Sequence, residues 1–294
     1  MALSYYLERI QRGVDFIEQR LDSDFSLAEV ARAGGLSQWH FQRLFKSLTG
    51  ETLKSYVRAR RLALSLDRLL KTEQRILDIA LLAGFESQEA YARAFRAAFG
   101  LSPTEYRRIG KRSLFIRKLE LDSLTLEHLA SYVSLEPEFA DRPALRLVGL
   151  RTELFGPDSE KNNIGECLPA LWEAFLARLP QLEHTVPGVC YGAVRQLHED
   201  SDLLVYDAAI EVTSQQAVPE GMVCLEVPRA TYVRFEHRGL PQGIDRTVSY
   251  AYATWLARSS YRHTGGPDLE IYGAGYQAAS EASVIHYAIP VADG

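Results

Sequence analysis

The first hundred residues contain the same helical pattern twice, fifty positions apart. In each copy a short apolar segment leads through a glycine turn to a serine, and a second amphipathic segment follows. Five pairs of equivalent residues keep this spacing: Ser37 and Ser87, Phe41 and Tyr91, Arg43 and Arg93, Phe45 and Phe95, and Gly50 and Gly100. Two helices joined by a tight turn form a helix-turn-helix, whose second helix enters the major groove of DNA. The duplication therefore predicts an all-α domain with two such units, able to read two groove segments without a partner subunit.

The second helix of the first copy, residues 37–49, is named here the first reader, and its two faces differ in chemistry. Spacings of three and four residues predict a buried apolar stripe: Phe41, Leu44, Phe45 and Leu48. The opposite face carries four other residues: Trp39, Gln42, Arg43 and Lys46. Arginine pairs with guanine and glutamine with adenine, and a tryptophan edge packs on a thymine methyl group. A solvated surface is the commoner role of such a face, but the second copy favours contact with DNA.

A predicted helix over residues 52–71 joins the two copies. Successive major-groove faces of B-DNA lie roughly 34 Å apart, and a helix of about 20 residues spans about 30 Å. The connecting helix is therefore long enough to set the separation of the two units. The second helix of the second copy, residues 86–99, is named the second reader. Its outward-facing residues are Gln88, Glu89 and Arg93.

The net charge of −5 divides unevenly along the chain. Residues 1–112 contain 19 lysines and arginines against 13 acidic residues, while the remainder contains 14 against 25. A basic region favours phosphates, and an acidic surface suits cationic ligands. We therefore expect a DNA-binding domain at 1–112, a linker or edge strand at 113–139 and a second domain at 140–294.

The three cysteines, Cys167, Cys190 and Cys224, have no metal-ligand spacing. A sparse, odd set of cysteines is typical of buried thiols in a reducing compartment. The sequence has no apolar run of membrane-spanning length and no signal peptide at Met1. These features predict a cytoplasmic protein with no cofactor, no metal and no membrane partner.

The second half reads as short strands separated by two helices. A β-α-β-β pattern is predicted at residues 146–154, 164–179, 189–196 and 204–212. It is predicted again at residues 231–237, 244–259, 269–273 and 283–290, with one further segment at 222–228. Two such units would pair into one sheet with both helices on one side. The prediction is an α+β domain with a groove backed by the sheet.

Aromatic residues and one carboxylate mark a candidate pocket in this second domain. Alternation along residues 269–272 places Glu270 and Tyr272 on one face of a strand. Trp172 and Trp255 lie in the middle of the two predicted helices, and Tyr252 lies three residues before Trp255. A carboxylate beside aromatic rings binds a lipophilic cation through one counter-charge and cation–π attraction. The alternative is an ordinary aromatic core with an exposed glutamate.

Residues 1–112 carry an Ala-Gly-Phe turn at 83–85, Phe95, Gly100, Leu-Ser-Pro at 101–103 and Tyr106-Arg107. Together these motifs resemble the DNA-binding domain of the AraC/XylS family of bacterial transcription regulators. In the subgroup that the segments 37–45, 56–62 and 76–80 most resemble, the first reader does most of the base reading. The resemblance implies DNA contacts by Trp39, Gln42, Arg43, Lys46, Gln88, Glu89 and Arg93. RNA polymerase is an expected partner, and two readers in one chain make binding to DNA as a monomer sufficient.

Glu89 departs from the family, in which glutamine is common at this position. A carboxylate repels phosphate and cannot form the adenine pair that an amide forms. We therefore expect the second reader to bind weakly or to select the amino group of cytosine.

The second domain has four characteristic segments: 233–239 (VRFEHRG), 252–256 (YATWL), 268–272 (DLEIY) and Ile289-Pro290. Together they resemble the GyrI-like effector-binding domain of multidrug-sensing regulators. The resemblance implies that Glu270 lies at the floor of the pocket. It also implies aromatic walls formed by Trp172, Tyr191, Tyr252 and Trp255.

The combined expectation is a transcription regulator that responds to a small lipophilic cation and is not an enzyme. One alternative is a hydrolase of electrophilic small molecules, in which Glu270 with Tyr272 or Tyr206 positions a water molecule. The other is a DNA-binding protein whose second domain binds RNA polymerase or another protein and takes no ligand.

Overall fold

The computed structural model describes residues 5–110, 137–198, 200–213 and 218–294. The expected linker at 113–139 lies outside these ranges, apart from its last three residues. Within residues 5–110 the chain forms seven α-helices: α1 (Tyr5–Gln19), α2 (Leu27–Ala33), α3 (Gln38–Thr49), α4 (Leu53–Lys71), α5 (Ile76–Leu82), α6 (Gln88–Phe99) and α7 (Pro103–Ile109). In the described ranges no helix combines the length and apolar character needed to cross a membrane.

Helix α3 is the first reader and α6 the second, and each has 12 residues. Both begin at the predicted serine. The hydroxyl oxygen of Ser37 accepts a hydrogen bond from the backbone N–H of His40, and that of Ser87 accepts one from Ala90. A serine in this position satisfies one of the N–H groups that the first turn of a helix leaves unpaired. The duplication in sequence is therefore a duplication of local structure.

The predicted stripe of α3 is buried against α1 and the neighbouring helices. None of its four side chains is more than 5% exposed: Phe41, Leu44, Phe45 and Leu48. In the second copy Tyr91 and Phe95 are fully buried in a separate cluster with residues of α4 and α5. Helix α4 thus contributes to both clusters, and the first of them continues into the second domain through Val233, Phe235 and Val248.

In its described residues the second domain forms a nine-stranded sheet with helices on one face. The strands are β1 (Glu138–Arg142), β2 (Leu145–Phe155), β3 (Thr185–Gln196), β4 (Leu203–Val212), β5 (Val223–Val227), β6 (Ala230–Arg238), β7 (Tyr261–His263), β8 (Asp268–Tyr272) and β9 (Val284–Asp293). The helices are α8 (Ile164–Arg178) and α9 (Ile244–Ser249), the latter continued by a π-helix at Tyr250–Leu256. Short 3₁₀ turns lie at Leu179–Gln181 and Pro241–Gly243.

The sheet contains the two predicted β-α-β-β units, β2-α8-β3-β4 and β6-α9-β8-β9, and three further strands, β1, β5 and β7. Its strand order is β1-β6-β9-β8-β3-β4-β2-β5, with β7 paired to β9, and every pair is antiparallel. The units meet where β3 pairs with β8, and Gly192 lies opposite Glu270 at that junction. The groove between α8 and α9 therefore has the centre of the sheet as its floor.

Candidate functional site

The second reader presents its predicted DNA face to solvent. Gln88, Glu89 and Arg93 are all exposed on α6. The apolar side of the same helix holds Tyr91 and Phe95 in the core. Helix α6 therefore has the two-faced arrangement that the sequence predicts.

The first reader does not have an open face, and here the expectation of an available DNA surface is wrong for this structure. Trp39 is 4% exposed, Gln42 2% and Arg43 5%, and Lys46 is half-buried. The cause is the second domain, because α3 packs against α9 and the π-helix that continues it. Whether these four residues contact DNA stays a prediction, since they are covered in the arrangement described.

Helix α3 lies over the groove between the two halves of the sheet. The ring of Trp39 belongs to a cluster with Leu171 and Phe175 of α8. On the other side, His40 packs its ring 4.2 Å from that of His263 and 6.3 Å from that of Tyr252. The helix that should read bases therefore occupies the space between α8 and the π-helix.

Of the α3 residues, Arg43 reaches deepest into the groove. Its Nη1 atom donates a hydrogen bond to the Tyr287 hydroxyl at 2.5 Å and lies 3.3 Å from Asp268 Oδ2. Its Nε atom lies 3.3 Å from Asp158 Oδ2. The guanidinium carbon lies 4.8 Å from the ring centre of Trp39 and 5.3 Å from that of Tyr252. One arginine side chain thus holds two carboxylates, a hydroxyl and two aromatic rings.

Polar contacts at the rim join the two domains around this centre. The Lys46 ammonium donates to the backbone carbonyl of Pro157. Glu160 accepts from Arg58 at 2.8 Å and lies 3.4 Å from the Lys54 ammonium. In these pairs the basic residue comes from the helical domain and the acceptor from the second domain.

Glu270 is buried at the floor of the groove, and its part in binding a ligand stays a prediction. Its Oε2 atom accepts hydrogen bonds from the Tyr206 hydroxyl at 2.6 Å and the Tyr272 hydroxyl at 2.7 Å. The indole N–H of Trp172 donates to the Tyr206 oxygen at 3.2 Å, and the rings of Trp172 and Tyr272 lie 4.8 Å apart. Burial raises the pKa of Glu270 above its ordinary value, and the two hydroxyl groups oppose this only in part. Ionisation of Glu270 is therefore costly in the groove, and a bound cation would stabilise the ionised carboxylate.

Asp268 forms a second acidic centre two residues away. The Tyr252 and Tyr287 hydroxyls donate to its Oδ2 atom, the former at 2.8 Å, and the His263 Nε2 atom lies 2.8 Å from Oδ1. Burial by itself raises the pKa of Asp268, but the hydrogen bond and charge of His263, together with Arg43, leave it below its ordinary value. The alternation that paired Glu270 with Tyr272 also places Asp268 on that face, so its role was readable from the sequence.

Two of the predicted wall residues are not in the groove. Tyr191 lies on the opposite face of the sheet, in a cluster with Leu269 and Ile271, because residue 192 rather than 191 points toward Glu270. Trp255 packs on Phe139, Phe235 and Tyr261 at the outer side of the π-helix. Trp172, Tyr252 and Tyr272 do line the groove. Tyr206 and Tyr287 were missing from the predicted lining.

Two family models match the chain. A helix-turn-helix domain covers residues 20–109, and a GyrI-like small molecule binding domain covers residues 135–292. The transcriptional regulator Rob of Salmonella typhimurium is 34% identical over 268 residues, which is 87% of each chain. The right origin-binding protein of Escherichia coli is 34% identical over 270 residues, again 87% of each chain. The regulatory protein SoxS of Escherichia coli is 39% identical over 98 residues, or 33% of this chain and 92% of SoxS.

Solved structures similar to the second domain have low sequence identity. SAV2435, solved bound to tetraphenylphosphonium, is 16% identical with a TM-score of 0.45 and covers 53% of this chain and 94% of its own. An integron cassette protein of Vibrio cholerae is 19% identical with a TM-score of 0.41 and covers 53% of this chain and 95% of its own. The family assignment therefore rests on the two family models and on the regulators that span both domains. The chain belongs to the AraC-type transcriptional regulators that carry a GyrI-like small molecule binding domain.

Proposed function

We propose that this protein is an effector-responsive regulator that binds adjacent major-groove segments as a monomer and whose groove takes a small lipophilic organic cation. The observation that carries the proposal is the pair of buried carboxylates, Asp268 and Glu270, at the floor of a groove lined by aromatic rings. A buried carboxylate is costly unless it is paired, and here Asp268 is paired with a cation of α3 while Glu270 has two tyrosine hydroxyls, so the groove favours a cationic ligand. Because the target is DNA in a bacterial cell, we expect the protein to act in the cytoplasm.

The DNA-binding half of the proposal is supported by the repeated helix-turn-helix. The readers α3 and α6 begin at equivalent serines and are joined by a 19-residue helix, α4. The residues proposed to touch DNA are Trp39, Gln42, Arg43, Lys46, Gln88, Glu89 and Arg93. RNA polymerase is the protein partner that this proposal implies.

The ligand-binding half is supported by the chemistry of the groove. Trp172, Tyr252 and Tyr272 supply aromatic surface, and Glu270 supplies the counter-charge. The Tyr206 and Tyr272 hydroxyls both donate to the Oε2 atom of Glu270 and orient it. The carboxylate group still acts as an acceptor toward a ligand. The Salmonella typhimurium relative that spans both domains is named a transcriptional regulator, which supports a binding rather than a catalytic role for this site.

Selection of binding sites from random duplex DNA tests the DNA-binding half. We expect the full chain to enrich one sequence, and the Arg43→Ala variant to lose about 1–3 kcal/mol of discrimination at one base step. Enrichment of no sequence, with or without a cationic probe, would show that the chain is not a sequence-specific reader.

Titration calorimetry with tetraphenylphosphonium tests the ligand-binding half. This probe is a single positive charge surrounded by four aromatic rings, and neutral triphenylphosphine oxide is the control. We expect the cation to bind, the neutral compound to bind at least about tenfold more weakly, and Glu270→Gln to weaken the cation by a similar factor. Equal binding of both compounds would contradict a cation site.

A further inference from the structure

The two readers are equivalent in sequence but differ in accessibility. Arg93 of α6 is exposed, whereas its equivalent Arg43 is 5% exposed and reaches the floor of the groove. DNA and the groove would use the same face of α3, so one helix cannot serve both at the same time.

The groove satisfies the charge of α3 but not its other polar groups. Arg43 finds two carboxylates, whereas the Trp39 indole N–H, the Gln42 side-chain oxygen and the His40 Nε2 atom are buried without a hydrogen bond to any described residue. A buried polar atom that makes no hydrogen bond costs about 1–3 kcal/mol. The second domain is therefore an imperfect partner for this face, and the docked arrangement is open to competition.

The remaining contacts between the domains are apolar as well as polar. Arg58 and Lys54 with Glu160, and Arg32 with Asp200, are partly exposed ion pairs, and such pairs contribute little to stability. Buried residues of the helical domain, among them Val14 and Phe41, share one cluster with Val248 and Tyr252 of the second domain, and the Tyr6 hydroxyl oxygen accepts a hydrogen bond from the His263 N–H at 3.0 Å. An effector that releases α3 has to compensate for the loss of these contacts.

We infer that the docked first reader is an inactive state of the protein, in which Arg43 occupies the cation site of the groove and an organic cation that takes its place releases α3 for DNA. This inference rests on the proposed function and adds the mechanism of its regulation. Arg43 and Trp39 together act as an internal ligand, with a positive charge beside an aromatic ring.

The internal ligand also specifies what the effector needs. Asp268 would require a positive charge in place of the guanidinium, bordered by the ring of Tyr252. The space that Trp39 leaves beside Leu171 and Phe175 is apolar and would require an aromatic or aliphatic group. A monovalent cation joined to hydrophobic rings meets both requirements, and a small hydrophilic cation meets only the first.

The first experiment measures tetraphenylphosphonium binding to the full chain, to Arg43→Ala and to Arg93→Ala. Arg93 is the matched control because it holds the equivalent place in the exposed second reader. We expect Arg43→Ala to bind the probe about tenfold more tightly than the wild type, because the competing guanidinium is gone, and Arg93→Ala to match the wild type. Equal binding by the wild type and both variants would overturn the inference and leave the proposed ligand site intact.

The second experiment measures binding to a selected DNA sequence by fluorescence anisotropy. The Glu160→Arg substitution replaces the negative charge beside Arg58 and Lys54 with a positive one, and it leaves α3 and the groove floor unaltered. Glu226→Arg is the control, because it breaks a similarly exposed pair with Arg146 inside the second domain. We expect Glu160→Arg to raise DNA affinity by about three- to tenfold, the control to leave it unchanged, and saturating tetraphenylphosphonium to raise that of the wild type.

The outcomes of the two experiments distinguish a failure of the proposed effector class from a failure of the inferred inhibition by docking of α3. Absence of probe binding in both the wild type and Arg43→Ala would reject the proposed class of effector, and the second experiment would still decide whether docking inhibits. If DNA binds but neither Glu160→Arg nor bound probe changes its affinity, the docked state is not inhibitory and the inference is wrong.

Discussion

Two acidic residues on one strand, Asp268 and Glu270, differ in how their charge is compensated. Asp268 has Arg43 and His263 beside it, and its pKa is lowered despite burial. Glu270 has mainly the hydroxyls of tyrosines, and burial keeps its pKa raised. The groove therefore holds one well-compensated and one poorly compensated carboxylate, and the second is the one that a bound cation would stabilise most.

Glu270 is expected to reduce the stability of the folded protein at neutral pH. A carboxyl whose pKa is raised by folding destabilises the native state above that pKa, and the penalty is relieved as the pH falls through it. We expect Glu270→Gln to have a higher free energy of unfolding than the wild type at pH 7.5 and a smaller advantage at pH 5.5. Urea denaturation at both pH values measures this, and an advantage that stays constant with pH would show that the charge is not its source.

Gly192 is required by the hydrogen bonds above it. A Cβ atom at this position would lie 2.0 Å from the Tyr206 hydroxyl oxygen and 3.0 Å from Glu270 Oε2. We expect Gly192→Ala to lower the free energy of unfolding by about 1–3 kcal/mol, because the tyrosine and the glutamate must both move. Gly165→Ala is the control in urea denaturation, because nothing lies within 4 Å of its added Cβ atom, and a loss of similar size there would contradict the steric explanation.

Among the elements, α6 shows how far local sequence determines structure. Its serine start and its length follow from the pattern of capping and apolar residues alone. The first-domain helices and the two β-α-β-β units were predictable for the same reason, since each rests on local spacing. The accessibility of α3 was not predictable, because it depends on a surface more than 100 residues away in the chain.

The strands of the groove show a similar limit. Alternation along β8 identifies Glu270 and Tyr272, but the place of Tyr287 beside Glu270 depends on the register between β8 and β9. Tyr191 and Trp255 were assigned to the wrong surroundings because an aromatic residue near a predicted groove does not reveal which side of the element it faces. Register and the direction of a π-helix are products of packing between elements.

Capping should control the stability of the second reader. The Ser87 hydroxyl oxygen accepts from the Ala90 N–H at 3.1 Å, and loss of such a cap costs about 1 kcal/mol. We expect Ser87→Ala to speed amide hydrogen exchange in α6 about fivefold. Thr104→Ala, an exposed change in the neighbouring α7, is the control, and equal exchange in α6 of the two variants would argue against capping by Ser87.

At the scale of the whole molecule, the uneven charge has a structural use. The basic helical domain faces acidic groups of the second domain, namely Asp158, Glu160, Asp200 and Asp268. These carboxylates offer α3 and its neighbours the negative partners that DNA would offer them. The two halves of the chain therefore attract each other by the same chemistry that attracts the first half to DNA.

Release of α3 should expand the molecule measurably. A compact chain of this length has a radius of gyration of about 19 Å, and separation of the domains by a further 10 Å would raise it by about 3 Å. Small-angle X-ray scattering with saturating tetraphenylphosphonium should show that rise, and triphenylphosphine oxide should not cause it. An unchanged radius at a concentration where calorimetry shows the cation bound would mean that the ligand enters without moving the reader.

Under the proposed function, Arg43 has to suit two unrelated partners, a base step in DNA and the acids of the groove. A substitution that changed the preferred base would also weaken the hold of the groove on α3. The base preferred at this position could therefore not change through Arg43 without altering how firmly the groove holds α3. Related proteins with a neutral residue at position 43 are expected to respond less to the effector, because they have no charged side chain in the groove for the effector to displace.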